Sequence, residues 1–502
     1  MDKRIRRAGI NAWTTLLNQI VATAIGIVIP GVMISHFGSE AYGATTSIAQ
    51  FLAYIALFEG GIGRVARGAL YKPLAMGNED EVSRIYLAIK RFFTVLGLVF
   101  LGYTLILAVF YYDISDVTGF TREYTFALVL AIAVGKFAEY MGGISNITLF
   151  NADQRQYVVN SVIILSNILN MIAVVLLTTF GADILWVKLV SSLVFVLKPI
   201  IFTIYFKTHY RIKKSKTRAV LKNKATGIAQ HIAYVVQNNT DVLVLTVFAD
   251  LKLVAVYSVY HLISFSLRNI TTSFTGGMEA VFGDMIAKEE TETLRKTYSR
   301  YMLILTLLTI TLFGAAIALI VPFVRIYTYG TTDANYIQPV FALLLLLADA
   351  LNCLILPCFH LPIAANKLKE SQFGAYTEAA VNLTVSLLLV RWNPLIGVAV
   401  GTLVSAIFKS IYYITYSAKN VLKCGTGKRI GEFVLTTVVL LLVSVGGMKI
   451  LSGITIANYF QWILAGFCTV AVTGTVSLLY GAIMYPEMMQ GFITSVLKKI
   501  RK

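Results

Sequence analysis

Nine basic side chains fall inside stretches too apolar to be loops: Arg64, Arg67, Lys90, Arg91, Lys136, Lys188, Lys198, Arg268 and Lys409. An ionised side chain at mid-bilayer costs at least about 2.5–3.5 kcal/mol, so it normally faces a bundle interior or an aqueous cavity and marks a substrate or ion path. Arg67, Lys90, Arg91 and Lys188 lie close enough to the ends of their stretches to reach the interface along their own apolar stems. Arg64, Lys136, Lys198, Arg268 and Lys409 are deeper, at the level of Glu59, Glu139, Asp241, Glu279, Asp349 and Glu378. Some of these charges must pair with one another. The rest would line a cationic cavity that accepts an anionic head group.

Arg64 and Arg268 lead that reading. Arg64 follows Glu59-Gly-Gly-Ile-Gly63, where glycines would let another backbone approach closely. Arg268 stands in Ser264-Phe-Ser-Leu-Arg268-Asn269. An Arg fork matches phosphate oxygens two at a time, which suits a diphosphate. Lys136, Lys198 and Lys409 would add charge, and Asn238 and Asp241 in Gln237-Asn-Asn-Thr-Asp241 would add polar lining. Glu59, His261 and Glu279 are the groups that could take part in ion coupling, and His231 lies in a second central stretch. Cys353, Cys358, Cys424 and Cys468 show no metal or disulfide spacing, and a Gly-x-x-x-x-Gly-Lys-Ser/Thr phosphate loop is missing. No cofactor or metal is implied.

The elements that carry these residues follow from composition. Hydrophobic residues make up 57% of the 502 and charged residues only 14%, and mean hydropathy is +0.75. A soluble domain carries about 25% charge, so this chain is solvated mainly by lipid. The net charge of +18 sits in short basic runs between apolar stretches, the mark of cytoplasmic anchoring and not of nucleic-acid binding. The N-terminal MDKRIRR precedes a long apolar stretch without a small-residue cleavage site, and reads as a retained first span.

A span needs about 20 mostly apolar residues. Such windows fall near 10–35, 44–68, 85–111, 123–149, 157–180, 184–206 and 225–248, then 253–282, 301–320, 337–365, 372–390, 395–417, 431–451 and 457–482. The expected fold class is therefore all-α: a polytopic membrane protein of about fourteen transmembrane helices. Pro322, Pro339, Pro357 and Pro362 interrupt the 321–395 region. With both termini cytoplasmic, the basic N-terminus, the 207–224 connection, later inside loops and the tail collect most Lys and Arg. The other side holds only Arg122, Lys252, Arg325, Arg391 and Lys449.

The halves repeat at a nearly constant offset. Tyr42 pairs with Tyr257, Tyr86 with Tyr298, Asn170 with Asn382 and Lys198 with Lys409. Six helices separate equivalent points, so the repeat is parallel, and substrate sites in such proteins lie at the repeat interface. The expected organisation is a six-helix lobe over 1–207, a basic cytoplasmic linker over 208–224, and a second six-helix lobe over 225–425. Two extra helices and a basic tail follow over 426–502.

Several segments carry a family resemblance: Phe37-Gly-Ser-Glu-Ala-Tyr-Gly, Phe58-Glu-Gly-Gly-Ile-Gly, Gly77-Asn-Glu-Asp-Glu, Asp241-Val-Leu-Val-Leu, Tyr257-Ser-Val-Tyr, Pro322-Phe-Val-Arg-Ile-Tyr-Thr and Gly397-Val-Ala-Val-Gly-Thr. Over roughly 10–425 the chain resembles Wzx-type polysaccharide flippases of the multidrug/oligosaccharidyl-lipid/polysaccharide exporter superfamily. The resemblance implies two six-helix lobes plus two helices in the bacterial inner membrane. It implies alternating access that carries undecaprenyl-diphosphate-linked oligosaccharide to the outer leaflet for O-antigen, capsule or exopolysaccharide. The implied partners are the lipid-linked oligosaccharide, membrane lipid, a polysaccharide polymerase and a chain-length regulator.

The rivals make different demands. A multidrug efflux antiporter of the same superfamily would have about twelve helices and an acid-rich cavity. Lipid II flippases usually open with Ser-Arg and Arg-Asp in the first helix, whereas this chain reads Asn11-Ala-Trp-Thr-Thr-Leu-Leu-Asn-Gln19. A major-facilitator signature is absent from 69–84. A membrane polymerase or ligase would carry a sizeable outer loop, and the longest here, about 321–336, is short. The chain is therefore read as a non-enzyme.

Overall fold

The computed structural model describes residues 3–59, 62–115, 117–212, 228–275 and 277–490; it leaves out residues 213–224 of the basic linker and 491–502 of the tail. The first helix, α1 (Lys3–Ala53), runs for 51 residues. At 1.5 Å per residue that is more than twice the ~30 Å of a bilayer core. It divides at Gly38, whose φ of +81° is one that a residue with a Cβ rarely adopts. The Asp333 carboxylate accepts bonds from the Ser39 backbone N–H and hydroxyl, each at 2.7 Å, and so satisfies the opened helix start. The second pass continues through a 3-10 turn, Tyr54–Glu59, into α2 (Ile62–Ala75).

Then come α3 (Glu79–Ser115), α4 (Arg122–Ala138), a single π turn at Glu139–Gly143 and α5 (Ile144–Ala152). They are followed by α6 (Gln156–Thr179), α7 (Ile184–His209), α8 (Ile228–Phe248), α9 (Leu251–Ser273) and α10 (Met278–Ala287). The remainder is α11 (Thr291–Tyr327), α12 (Pro339–Leu354), α13 (Leu356–Ala364), α14 (Leu368–Leu389), α15 (Pro394–Asn420), α16 (Thr426–Ser452) and α17 (Tyr459–Met484). Nine helices among the described residues are long and apolar enough to cross a membrane, ten with the bent pair α12–α13. With α1 split at Gly38 and the broken rods α4–α5 and α9–α10 each joined, the described helices trace fourteen passes.

Four windows that hydropathy reads as single spans are thus broken: within 44–68, 123–149, 253–282 and 337–365. The last bends by 41°, where Pro357 opens α13. Pro322, by contrast, sits inside α11 without interrupting it.

The repeat is visible in backbone geometry. Gly77 and Glu289 both adopt positive φ, 66° and 58°, as do Gln154 and Asn366, 57° and 56°. Around each the same two bonds close the preceding helix: Gly77 N–H to Leu74 and Asn78 N–H to Pro73, against Glu289 to Ile286 and Glu290 to Met285. Gln154 to Asn151 and Arg155 to Phe150 match Asn366 to Ile363 and Lys367 to Pro362. These are left-handed helix ends of the Schellman kind. Between them Tyr86 donates to Asn146 Oδ1 at 2.8 Å, and its counterpart Tyr298 meets Cys358 Sγ at 3.0 Å.

Contacts divide the chain into two units, residues 1–255 with 331–334 and residues 256–330 with 335–502. In the first, α1 packs on α6, α4 on α3 and α7, and α8 on α1. A Cβ on Gly43 would collide with the Leu251 carbonyl oxygen, so this glycine sets a close approach. In the second, α11 packs on α16 and α17, and α15 on α12 and α14. Gly397 and Gly401, one turn apart on α15, let its backbone reach α14: Cβ atoms there would stand 2.8 Å from Leu389 C and 2.9 Å from Asn382 O. Asn170 and Asn382 are both buried.

Candidate functional site

The first unit gathers its charges around the π turn. A π turn adds one residue to a helical turn and often marks a functional position. Here it places Glu139 and Tyr140 together: Lys136 Nζ lies 3.4 Å from Glu139 Oε2 and 5.3 Å from the Tyr140 ring centre. The Tyr140 hydroxyl donates to Glu59 Oε1 at 2.6 Å. Lys198 on α7 stands 4.3 Å from the Phe195 ring centre, within electrostatic reach of Glu139 and Lys136. Among the described residues it has no carboxylate within ion-pair distance. The Lys136 side chain is 40% exposed although it sits mid-pass.

The 3-10 turn links this cluster to α8. Tyr54, at its start, brings its hydroxyl 3.4 Å from Thr240 Oγ1, beside the buried Asp241. Glu59, at its end, accepts from Tyr140. Thus Glu59, Lys136 and Lys198 come together in one polar cluster, and Asp241 is reached along the same turn. Arg64 lies on α2 and Asn238 on α8, but both side chains fall outside the described residues. Gly63, just before Arg64, has no described atom within 4 Å of where a Cβ would stand. For Gly63 no close backbone approach is seen, while Gly60 and Gly61 of the same expectation lie outside the described residues.

The second unit pairs its two deep cations, Arg268 and Lys409, with carboxylates. Arg268 Nη1 is 3.2 Å from Asp349 Oδ1, and Ser264 donates to Asp349 Oδ2 at 2.6 Å. Lys409 Nζ is 3.0 Å from Glu378 Oε1. Cys353, one turn from Asp349 on α12, lies within electrostatic reach of Arg268, Asp349 and Lys409, so the two pairs are neighbours. Asn382 donates to Thr402 at 3.0 Å. His261 stacks with Tyr257 and Phe265, centroids 5.3 and 5.9 Å away, and sits within the field of Arg268 and Asp349. Glu279 is exposed in the first turn of α10 and makes no ion pair among the described residues.

Outside the passes, at the end of α7, Tyr210 donates to Asp153 at 2.6 Å, and the Arg155 guanidinium is 5.2 Å from the Tyr210 ring. Burial and the Asp153 carboxylate hold the Tyr210 phenol well above its ordinary pKa. From sequence, Tyr140, Ser264, Cys353 and Thr402 carried no expected role in the site. Tyr140 had a signal in the Gly142-Gly143 pair that follows it, which weakens a regular helix. All four cysteines are free.

Broken passes carrying charges, repeated at a fixed offset, make the fold that of a polytopic α-helical membrane protein. No family model matches the sequence, and no curated relative does. Solved structures do share the fold. A lipid II flippase, MurJ, in an inward closed conformation, is similar at a TM-score of 0.68 and 16% identity, over 95% of this chain and 99% of its own. An inward-facing multidrug resistance MATE family transporter of the MOP superfamily matches at 0.60 and 15%, over 80% and 95%. The MATE multidrug transporter DinF-BH in complex with R6G matches at 0.61 and 16%, over 85% and 97%.

Proposed function

We propose that this protein is a flippase of the multidrug/oligosaccharidyl-lipid/polysaccharide exporter superfamily. Its cargo is undecaprenyl-diphosphate-linked oligosaccharide, moved by alternating access to the outer leaflet for surface polysaccharide assembly. The observation that carries this reading is Lys198, mid-pass with no carboxylate at ion-pair distance among the described residues, beside the partly open Lys136. A lysine left without a carboxylate partner where burial is expensive, next to a second one held by Glu139, favours an anionic head group. Arg64, with Asn238 and Asp241 as polar lining, is proposed as a diphosphate ligand of the first unit, and Arg268 as one of the second. For Arg268 this requires exchange of Asp349 for phosphate.

The two helices beyond residue 425 support a flippase. Two MATE transporters match 80% and 85% of this chain, while the lipid II flippase matches 95%. The stretch 426–502 is of about the length of that difference. Loop lysines and arginines favour cytoplasmic termini, and the proposed location is the bacterial inner membrane. A polymerase and a chain-length regulator are the proposed partners. Multidrug efflux is the second reading, favoured by the carboxylates Glu59 and Asp241 in the first unit.

The test is complementation in a host that lacks its own flippase. Lys136→Ala, Lys198→Ala, Arg64→Ala and Arg268→Ala are expected to reduce surface polysaccharide while the protein stays folded and in the membrane. Full export by Lys198→Ala together with Lys136→Ala would remove the lysines from the mechanism.

A further inference from the structure

α11 and α16 approach closely where a Cβ on Gly447 would stand 2.8 Å from Ala318 Cβ. Beside that crossing lies a groove of about 220 Å³. Val321, Pro322 and Arg325 line it from one face of α11, and Met448, Leu451 and Ile456 from the other side. Its floor is a small apolar core of Ala318, Leu319, Leu451 and Ile456. The lining is hydrocarbon except at Ser452, whose hydroxyl donates to the Lys449 carbonyl, and at Arg325, which is exposed and makes no ion pair among the described residues. Arg325 lies in the last turn of α11, the same turn that carries Phe323 and Tyr327, and Phe323 packs on Tyr327, Tyr459 and Trp462 with ring centres 5.2–6.5 Å apart. Aromatic side chains of this kind concentrate at the head-group level of a bilayer.

We propose that the groove holds one acyl chain of a resident anionic glycerophospholipid, whose phosphate is gripped by the Arg325 guanidinium. An apolar slot ending in an uncompensated Arg at interface depth complements that molecule in both shape and charge, since a guanidinium binds phosphate oxygens in pairs. The lipid wedges α11 against α16 and is a fixed part of the fold. This site is separate from the charged clusters and does not depend on what the protein moves.

The test delipidates the full-length protein in detergent and then adds phosphatidylglycerol or phosphatidylcholine. Bound lipid is read by native mass spectrometry and the unfolding midpoint by a thermal scan. Wild type is expected to bind phosphatidylglycerol about tenfold more tightly and to gain stability from it alone. Arg325→Ala and the groove-filling Val321→Phe are expected to lose that preference; Arg391→Ala, outside the lining, is expected to keep it. Equal binding of both lipids by wild type, a comparison that needs no variant to fold, would overturn the proposal. So would an unchanged preference in both groove variants, or displacement by undecaprenyl diphosphate at equal concentration, which would make the groove a cargo subsite.

Discussion

Lys409 Nζ lies 3.0 Å from Glu378 Oε1, with the two side chains 15% and 3% exposed. Removing one partner of a buried pair strands the other charge and costs about 3–5 kcal/mol. Lys409→Met is therefore expected to lower the unfolding midpoint in detergent sharply. Lys409→Met with Glu378→Leu should recover much of the loss, because no charge is then left buried. Additive losses would contradict the pairing.

The two matching tyrosines should respond unequally. Tyr86 donates to an amide oxygen and Tyr298 meets a thiol, which is a weak partner. Tyr86→Phe is expected to cost about 1–3 kcal/mol, since Asn146 Oδ1 stays buried without that donor. Tyr298→Phe should cost less. Chemical denaturation of the two variants side by side checks the order.

Glycines that touch backbone should differ from those that face open space. Gly401→Ala would push a methyl toward the Asn382 carbonyl, 2.9 Å away, and is expected to destabilise by about 1–3 kcal/mol. Gly63→Ala meets no described atom within 4 Å and lies in α2, so it should be neutral or stabilise by up to about 1 kcal/mol. Size-exclusion profiles and thermal midpoints of the purified variants decide this.

Lys198 should matter through its charge. Lys198→Ala is expected to impair transport with little change in folding, and Lys198→Arg to retain most of it. Equal defects in both would point to packing against Phe195 instead of charge.

The passes were legible because lipid demands long apolar runs, and the repeat because Tyr86 and Tyr298, or Asn170 and Asn382, keep one spacing. The breaks were not. A π turn at Glu139–Gly143 and a bend before Pro357 leave average hydropathy unchanged, so hydropathy windows run through them. Of the site, the deep charges could be found by counting, but not their partners. Arg268 with Asp349 and Lys409 with Glu378 are 81 and 31 residues apart, and only packing selects them. Glu59 meeting Tyr140 depends on the extra residue of the π turn, which no periodicity announces.

The central claim is that the cargo is an anionic lipid-linked sugar. It is tested most directly with purified protein in liposomes, given undecaprenyl-diphosphate-linked oligosaccharide in one set and a cationic dye in another. The expected result is lipid transfer between leaflets that falls in Lys136→Ala with Lys198→Ala, and no dye uptake. Dye movement without lipid transfer would contradict the account and select multidrug efflux.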